Sequence, residues 1–364
     1  MGNATENPTQ AASSSTNLHA VGGVKKPLRS CMFLAVGFVF FGGAVVAFLW
    51  LSHQANVATT SHSGPMDEIT IGNVGEYSIF NLIARDEGYF KQNNLRANII
   101  EYPSGPPAVT DLLAGKVNFA IAADFVGVTN IFQNPDLRIL AQTSQQTSFG
   151  LIARKDKGIS DPRDLKGKRV GVTKNGAGEF FLGQFLIVNG MSPSDISEVN
   201  LQPAALINGL NSGQLDAIVI FEPYVYNLTS SLGDKIIYWN VQGQQKTLAF
   251  SYTTKTYLRS HAAIVNRYVK SLVEAENFLT NNDTASRKLL AKDLQYSPAY
   301  VDYLWPKIDF HLSLAQPMLL YMEDEARFVI AGNVTAQKTV PNYLDYIYFP
   351  ALQSAAPQEV TIIH

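Results

Sequence analysis

Along the chain the apolar positions switch between helical and strand spacing, and two stretches make the switch in the same way. Val109–Ile121 reads VTDLLAGKVNFAI and Ile207–Val219 reads INGLNSGQLDAIV. With Gly115 placed on Gly213, Leu112 falls on Leu210, Val117 on Leu215 and Asn118 on Asp216. Each stretch reads as a helix end, a glycine able to take positive φ as its C-cap, and a short apolar strand. A glycine ahead of an apolar run also arises by chance in α/β chains. A true repeat of this unit implies two α/β lobes with a ligand cleft between them.

The flanking pattern fits two lobes. Glu68–Asn73 alternates as a strand, and Gly75-Glu76-Tyr77-Ser78 reads as a turn. Ile79, Leu82, Ile83 and Phe90 then share one helical face, which ends at Gly88 and Asn93-Asn94. A strand at Arg96–Tyr102 leads through Pro103-Ser104-Gly105 into the first repeat helix and the strand Asn118–Ala122. The second lobe is expected to follow the same order. Leu151–Lys155 is its first strand, and a short helix starts after Asp161, an N-cap with Pro162 at the first position. Next come a strand at Arg169–Thr173, a helix at Glu179–Val188, the second repeat helix ending at Gly213, and the strand Ala217–Phe221. Alternating strands and helices favour a mostly parallel sheet in each lobe.

From Tyr257 onward the pattern becomes helical: Ile264, Tyr268, Leu272, Ala275 and Leu279 recur every three or four residues. Further helices are expected at Thr284–Leu294, Pro298–Trp305 and Leu314–Ala331. The reading divides the folded part into a first lobe over 67–145, a second over 146–247, and a return to the first lobe with C-terminal helices over 248–364. The hinge crossings are expected near Ala141–Ser148 and Leu248–Thr253.

The N-terminal residues carry a different pattern. Residues 1–30 are polar and read as a disordered cytoplasmic tail ending in Lys25, Lys26 and Arg29. Cys31–Ser52 contains no charge and, at about 1.5 Å per residue, is long enough for a bilayer core of about 30 Å. A cleaved signal peptide would have a shorter apolar region and a small-residue cleavage site, for which Asn56-Val57-Ala58 is poor. The expectation is an uncleaved single-pass anchor in the cell membrane, a flexible tether over 53–66, and lobes outside the cytoplasm. A formal net charge of −2 argues against a nucleic-acid partner. Cys31 is the sole cysteine, so no intramolecular disulfide can form. Asn227-Leu228-Thr229 and Asn333-Val334-Thr335 match the glycosylation sequon, a short and weak signal.

Candidate chemistry lies in the strand-to-helix loops. Lys174-Asn175-Gly176-Ala177-Gly178 follows a strand and opens a helix, where glycines and free N–H groups suit a ligand. Ala177 and Gly178 stand where a phosphate loop would need Lys and Ser/Thr, so nucleotide hydrolysis is rejected, and an ordinary tight turn is the alternative. Tyr77 and Ser78, with Ser104 and Gly105, occupy the corresponding loops of the first lobe. Glu76 would oppose an anion if it pointed inward, and reads more simply as a solvated turn residue. Glu222, before Pro223, lies at the cleft edge. Phe125 and Tyr224 suit either core packing or stacking on a planar ligand. No catalytic constellation, metal set or cofactor motif emerges from the six histidines and single cysteine.

Taken in order, ITIGNVGEYSIFNLIARDEGYFKQNNL, EYPSGPPAVTDLLAGKVNFAIA, DLKGKRVGVTKNGAGEF, the LxxGQLDAIVIFEPY run and LSLAQPMLLYMEDEARFVI resemble the solute-binding proteins of the SsuA/THI5-like, or NMT1, family. Its members serve nitrate, sulfonates, taurine and thiamine-precursor pyrimidines. The resemblance covers nearly all of residues 67–350. It implies a type 2 periplasmic-binding-protein fold, a small-molecule ligand and an ABC transporter permease as partner, without enzymatic activity. It also implies ligand contacts at Tyr77-Ser78, Ser104-Gly105, Ala123-Asp124, Gly176-Ala177-Gly178 and Phe221-Glu222. Glu76, Asp124, Glu179 and Glu222 would make the cleft rim acidic, which disfavours a simple anion and keeps an aminopyrimidine in play. Related fungal pyrimidine-synthesising enzymes carry a cysteine-rich motif that this chain lacks. An enzyme using Glu179 or Glu222 as base, and an extracellular sensor, are the alternative readings.

Overall fold

The computed structural model describes residues 65–364. The expected cytoplasmic tail, the membrane anchor at Cys31–Ser52 and most of the tether lie outside the described residues. Among the described residues no helix is long and apolar enough to cross a membrane.

Two sheets form the two lobes. The first holds β1 (Asp67–Asn73), β2 (Leu95–Glu101), β3 (Phe119–Ala123), β4 (Leu137–Gln146), β10 (Thr247–Thr254) and β11 (Ile308–Ser313), in the order β2-β1-β3-β10-β4-β11. The second holds β5 (Phe149–Arg154), β6 (Arg169–Val172), β7 (Ser197–Asn200), β8 (Ala217–Phe221) and β9 (Ile236–Asn240), in the order β7-β6-β8-β5-β9. Without β11 the two orders correspond strand for strand. In each lobe three parallel strands are followed by one antiparallel strand, β10 or β5, that enters directly from the other lobe.

The repeat seen in the sequence is real. Gly115 follows the helix Gly105–Leu113 at φ +72°, Gly213 follows the helix Pro203–Ser212 at φ +74°, and β3 and β8 hold equivalent central places. The expected order of the second lobe needs one correction. Leu151–Ala153 lies in an antiparallel strand, and the counterpart of β1 is β6. The apolar run gave no direction, because a strand buried on both faces looks the same either way. The short element after Asp161 is a 3-10 turn, capped by the Asp161 side chain on the Arg163 N–H.

The chain passes from the first sheet to the second at Thr147-Ser148 and returns over Val241–Lys246. Leu248–Thr253, expected as the return crossing, lies inside β10, where its Thr and Ser side chains are buried. Gln242 ties the two crossings together. Its Oε1 accepts the Ser148 and Phe149 N–H groups at 2.6 and 2.7 Å, and its Nε2 donates to the Gln146 carbonyl at 3.3 Å and to Thr247 Oγ1 at 3.1 Å.

C-terminal to β10, helices Lys255–Asn281, Asp283–Asp293, Pro298–Leu304, Pro317–Ala331 and Phe349–Ala355 cover the first lobe. The helix Pro317–Ala331 also reaches the second lobe: Phe328 packs on Phe180 with ring centroids 5.3 Å apart.

Candidate functional site

Three strand-to-helix junctions meet where the lobes face each other. β3 runs into the helix Asp124–Ile131. The helix Gly105–Leu113 begins at Ser104, with prolines in its first turn. In the second lobe, Gly176 at φ −111° and ψ 159° leads into the helix Ala177–Val188. A helix's first N–H groups have no partner within it and carry partial positive charge. The cavity at this meeting point has a volume of ≈ 40 Å³. Tyr77, Ser104, Gly105 and Ala123 line it from the first lobe. Gly176, Ala177, Gly178 and Phe221 line it from the second, with Phe149 and Thr173. At this size it admits a group of only a few heavy atoms.

Several contacts hold the lobes together around it. Ser104 Oγ donates to Gln202 Oε1 across the cleft at 3.0 Å, and the Tyr77 and Ser148 hydroxyls lie 3.4 Å apart. A Cβ on Gly178 would sit 3.2 Å from Phe149 Cε1, so glycine permits the close packing of this helix start. Burial raises the Tyr77 phenol well above its ordinary range, so it stays neutral.

Six of the residues weighed as ligand contacts do not line this cavity. Ser78 Oγ accepts the Val74 N–H at 2.8 Å inside the turn. Asp124 is wholly buried and accepts the Phe125 and Leu248 N–H groups at 3.0 and 3.2 Å. It is close to the buried Glu325, and burial raises both carboxyls, Asp124 to about 7. Glu179 accepts the Asn175 N–H at 2.7 Å and lines a separate cavity of ≈ 190 Å³ with Lys174 and Phe328. Glu222 and Tyr224 line a third compartment of ≈ 290 Å³, next to the first cavity. Phe125 is core, packed between Phe180 and Phe328.

The reading of Glu76 as a solvated turn residue is overturned. It is only 4% exposed and faces the same compartment as Glu222, joined there by Glu101 and Asp293. Of the acidic rim read from the sequence, Glu76 and Glu222 share this compartment, whereas Asp124 is buried and Glu179 lines a separate cavity. Tyr296, missed by sequence reasoning, donates from its hydroxyl to Glu76 Oε2 at 3.0 Å; it lies too far along the chain for any local signal. Burial raises the Glu76 carboxyl to about 7 and also raises Glu222. Among the described residues no His, Cys, Asp and Glu group is arranged to hold a metal ion.

A family model described as NMT1/THI5 like matches residues 76–289. A protein of Bacillus subtilis (strain 168) named for binding aliphatic sulfonates is 29% identical over 233 residues, covering 62% of this chain and 69% of that protein. The 4-amino-5-hydroxymethyl-2-methylpyrimidine phosphate synthase of Schizosaccharomyces pombe is 30% identical over 132 residues, covering 35% of this chain and 37% of the enzyme. In structure, the alkanesulfonate-binding protein SsuA of Xanthomonas axonopodis pv. citri bound to MOPS aligns with a TM-score of 0.67 at 19% identity. That alignment covers 79% of this chain and all of the other, and shows that the fold is shared.

Proposed function

The chain belongs to the NMT1/THI5-like family, and on that premise we propose that it is the extracytoplasmic solute-binding component of an ABC importer, held to the membrane by Cys31–Ser52. The ligand is a small organic molecule with an anionic head of the sulfonate class. The head sits in the cavity between the lobes, against the helix start at Ala177-Gly178 and beside Tyr77. The observation that carries this reading is the cavity that both lobes line at the start of the helix Ala177–Val188, whose first N–H groups have no partner within the helix. Such a site favours negative charge without needing a cationic side chain. The likeness to the sulfonate-binding relative supports the same ligand class. Because the cavity is small, the lobes part to admit ligand and close over it, the hinge lying at Thr147-Ser148 and Val241–Lys246.

A thermal-unfolding screen of the full-length protein tests this, using alkanesulfonates, nitrate, bicarbonate and pyrimidines. A ligand at a hundred times its Kd stabilises the fold by about 2.7 kcal/mol. Stabilisation by sulfonates without turnover is the expected result. Chemical conversion of a stabilising compound would move the assignment to an enzyme on the same fold.

A further inference from the structure

A cavity of ≈ 280 Å³ opens on the first lobe and shares no lining residue with the cavities above. β4 contributes Gln142 and Gln145 and β10 contributes Leu248, close to the two crossings, while β11 and the start of the helix Pro317–Ala331 close it. The pairing of β11 with β4 shifts register between Phe310 and Ser313. Asp309 therefore stands opposite Gln145, and Ser313 opposite Gln142. The buried end of the cavity holds two polar side chains without partners. Gln142 is 8% exposed and Ser313 5%, both line the cavity, and among the described residues neither side chain makes a hydrogen bond. Buried amides and hydroxyls are nearly always paired, because pairing offsets their loss of water. Leu248 and Met318, both buried, supply apolar surface beside them.

The exposed end is acidic. Asp309 and Glu359 line it, and among the described residues no Lys or Arg does. His311 also lines it, but both of its ring nitrogens are engaged: Nδ1 donates to Glu276 and Nε2 to Glu359, each at 2.8 Å. The bond to Glu276 raises the His311 imidazole to about 9, so it is charged at neutral pH. Three carboxylates against one imidazolium leave two negative charges. Asp309 takes one neutral hydrogen bond, from Gln145 Nε2 at 2.8 Å, and forms no ion pair among the described residues. An ammonium donates well to such carboxylates, since charge-assisted hydrogen bonds are the stronger kind.

We infer that this cavity is a ligand site separate from the cleft, and that it takes a short aliphatic amine carrying a hydroxyl at its far end. The ammonium sits at the exposed end with Asp309 and Glu359, and the stem lies on Leu248 and Met318. The hydroxyl reaches the buried end, where it donates to Gln142 Oε1 and accepts from Ser313 Oγ. An apolar wall with a few convergent polar groups is the usual make-up of a small-molecule site. The site lies within one lobe and does not depend on what the cleft binds.

Calorimetry on the full-length protein at neutral pH tests this with 4-aminobutan-1-ol and its uncharged counterpart, butane-1,4-diol. The amine should bind at least about tenfold more tightly than the diol. In Asp309→Asn, a change at an exposed position, that ratio should fall to within about threefold. Gln142→Leu should weaken the amine as well, with circular dichroism unchanged; if that variant fails to fold, Asp309→Asn decides alone. Glu76→Gln, in the cleft, should leave the amine's affinity within about twofold of the unaltered protein. No binding of the amine, equal affinity for the diol, a ratio that survives Asp309→Asn, or a loss in Glu76→Gln would overturn the inference.

Discussion

Glu76→Gln should stabilise the protein at alkaline pH and leave it unchanged at acid pH. Burial lifts the Glu76 carboxyl from its ordinary 4.5 to about 7 in the folded state. A group raised in this way favours folding while it is protonated. The benefit is complete below pH 4.5 and is lost as pH rises through about 7, because the unfolded chain ionises first. The shift corresponds to about 3 kcal/mol, at about 1.4 kcal/mol for each pH unit. Gln cannot ionise and can still accept the Tyr296 hydroxyl, so the variant escapes this loss. Urea unfolding from pH 4 to 9 should therefore give curves that coincide near pH 4.5 and separate towards about 3 kcal/mol by pH 8. The remaining raised carboxyls, Asp124 and Glu325 among them, are present in both proteins and cancel in the difference. A pH-independent difference would show that Glu76 is not buried as an unpaired carboxylate. Destabilisation of the variant at pH 8 would show that the charge is compensated in the free protein.

Other perturbations separate the loop, the latch and the hinge. Gly178→Val pushes a side chain against Phe149 at the cavity wall and should weaken sulfonate binding at least tenfold, about 1.4 kcal/mol, with the lobes still folded; calorimetry and circular dichroism check this. A Cβ on Gly183 would overlap the Phe328 ring, so Gly183→Ala should loosen the contact between the helix Pro317–Ala331 and the second lobe at a cost of about 1–3 kcal/mol. X-ray scattering should then show a larger radius of gyration than the unaltered protein has. Gln242→Ala leaves the Ser148 and Phe149 N–H groups without their acceptor and should lower unfolding stability by about 3 kcal/mol. Faster hydrogen exchange should appear first at those two amides.

The local units were legible because their signals are local. The Gly115 and Gly213 caps, the Asp161 cap and the helix starting near Gly176 each depend on a few neighbouring residues. What the sequence hid was pairing over distance. β11 was missed although Ile308, Phe310 and Leu312 alternate with polar residues, because that short run lies between two strong helical patterns. Nothing near Leu151 tells that it runs antiparallel to β8. The carboxylates were misplaced for the same reason. Asp124 finds the Leu248 N–H and Glu76 the Tyr296 hydroxyl, partners brought close only by the fold. The loop residues Gly176, Ala177 and Gly178 line the cavity because strand-to-helix turns at the carboxyl ends of parallel strands open towards the cleft, a consequence of topology that needs no side-chain detail.

A crystal structure of the protein grown with propane-1-sulfonate decides whether the cleft between the lobes is the solute site. One molecule should be enclosed between the lobes. Its sulfonate oxygens should lie within hydrogen-bond distance of the Ala177 and Gly178 N–H groups. A molecule bound to one lobe alone, or outside the space bounded by Tyr77, Phe221 and the Gly176–Gly178 loop, would contradict it.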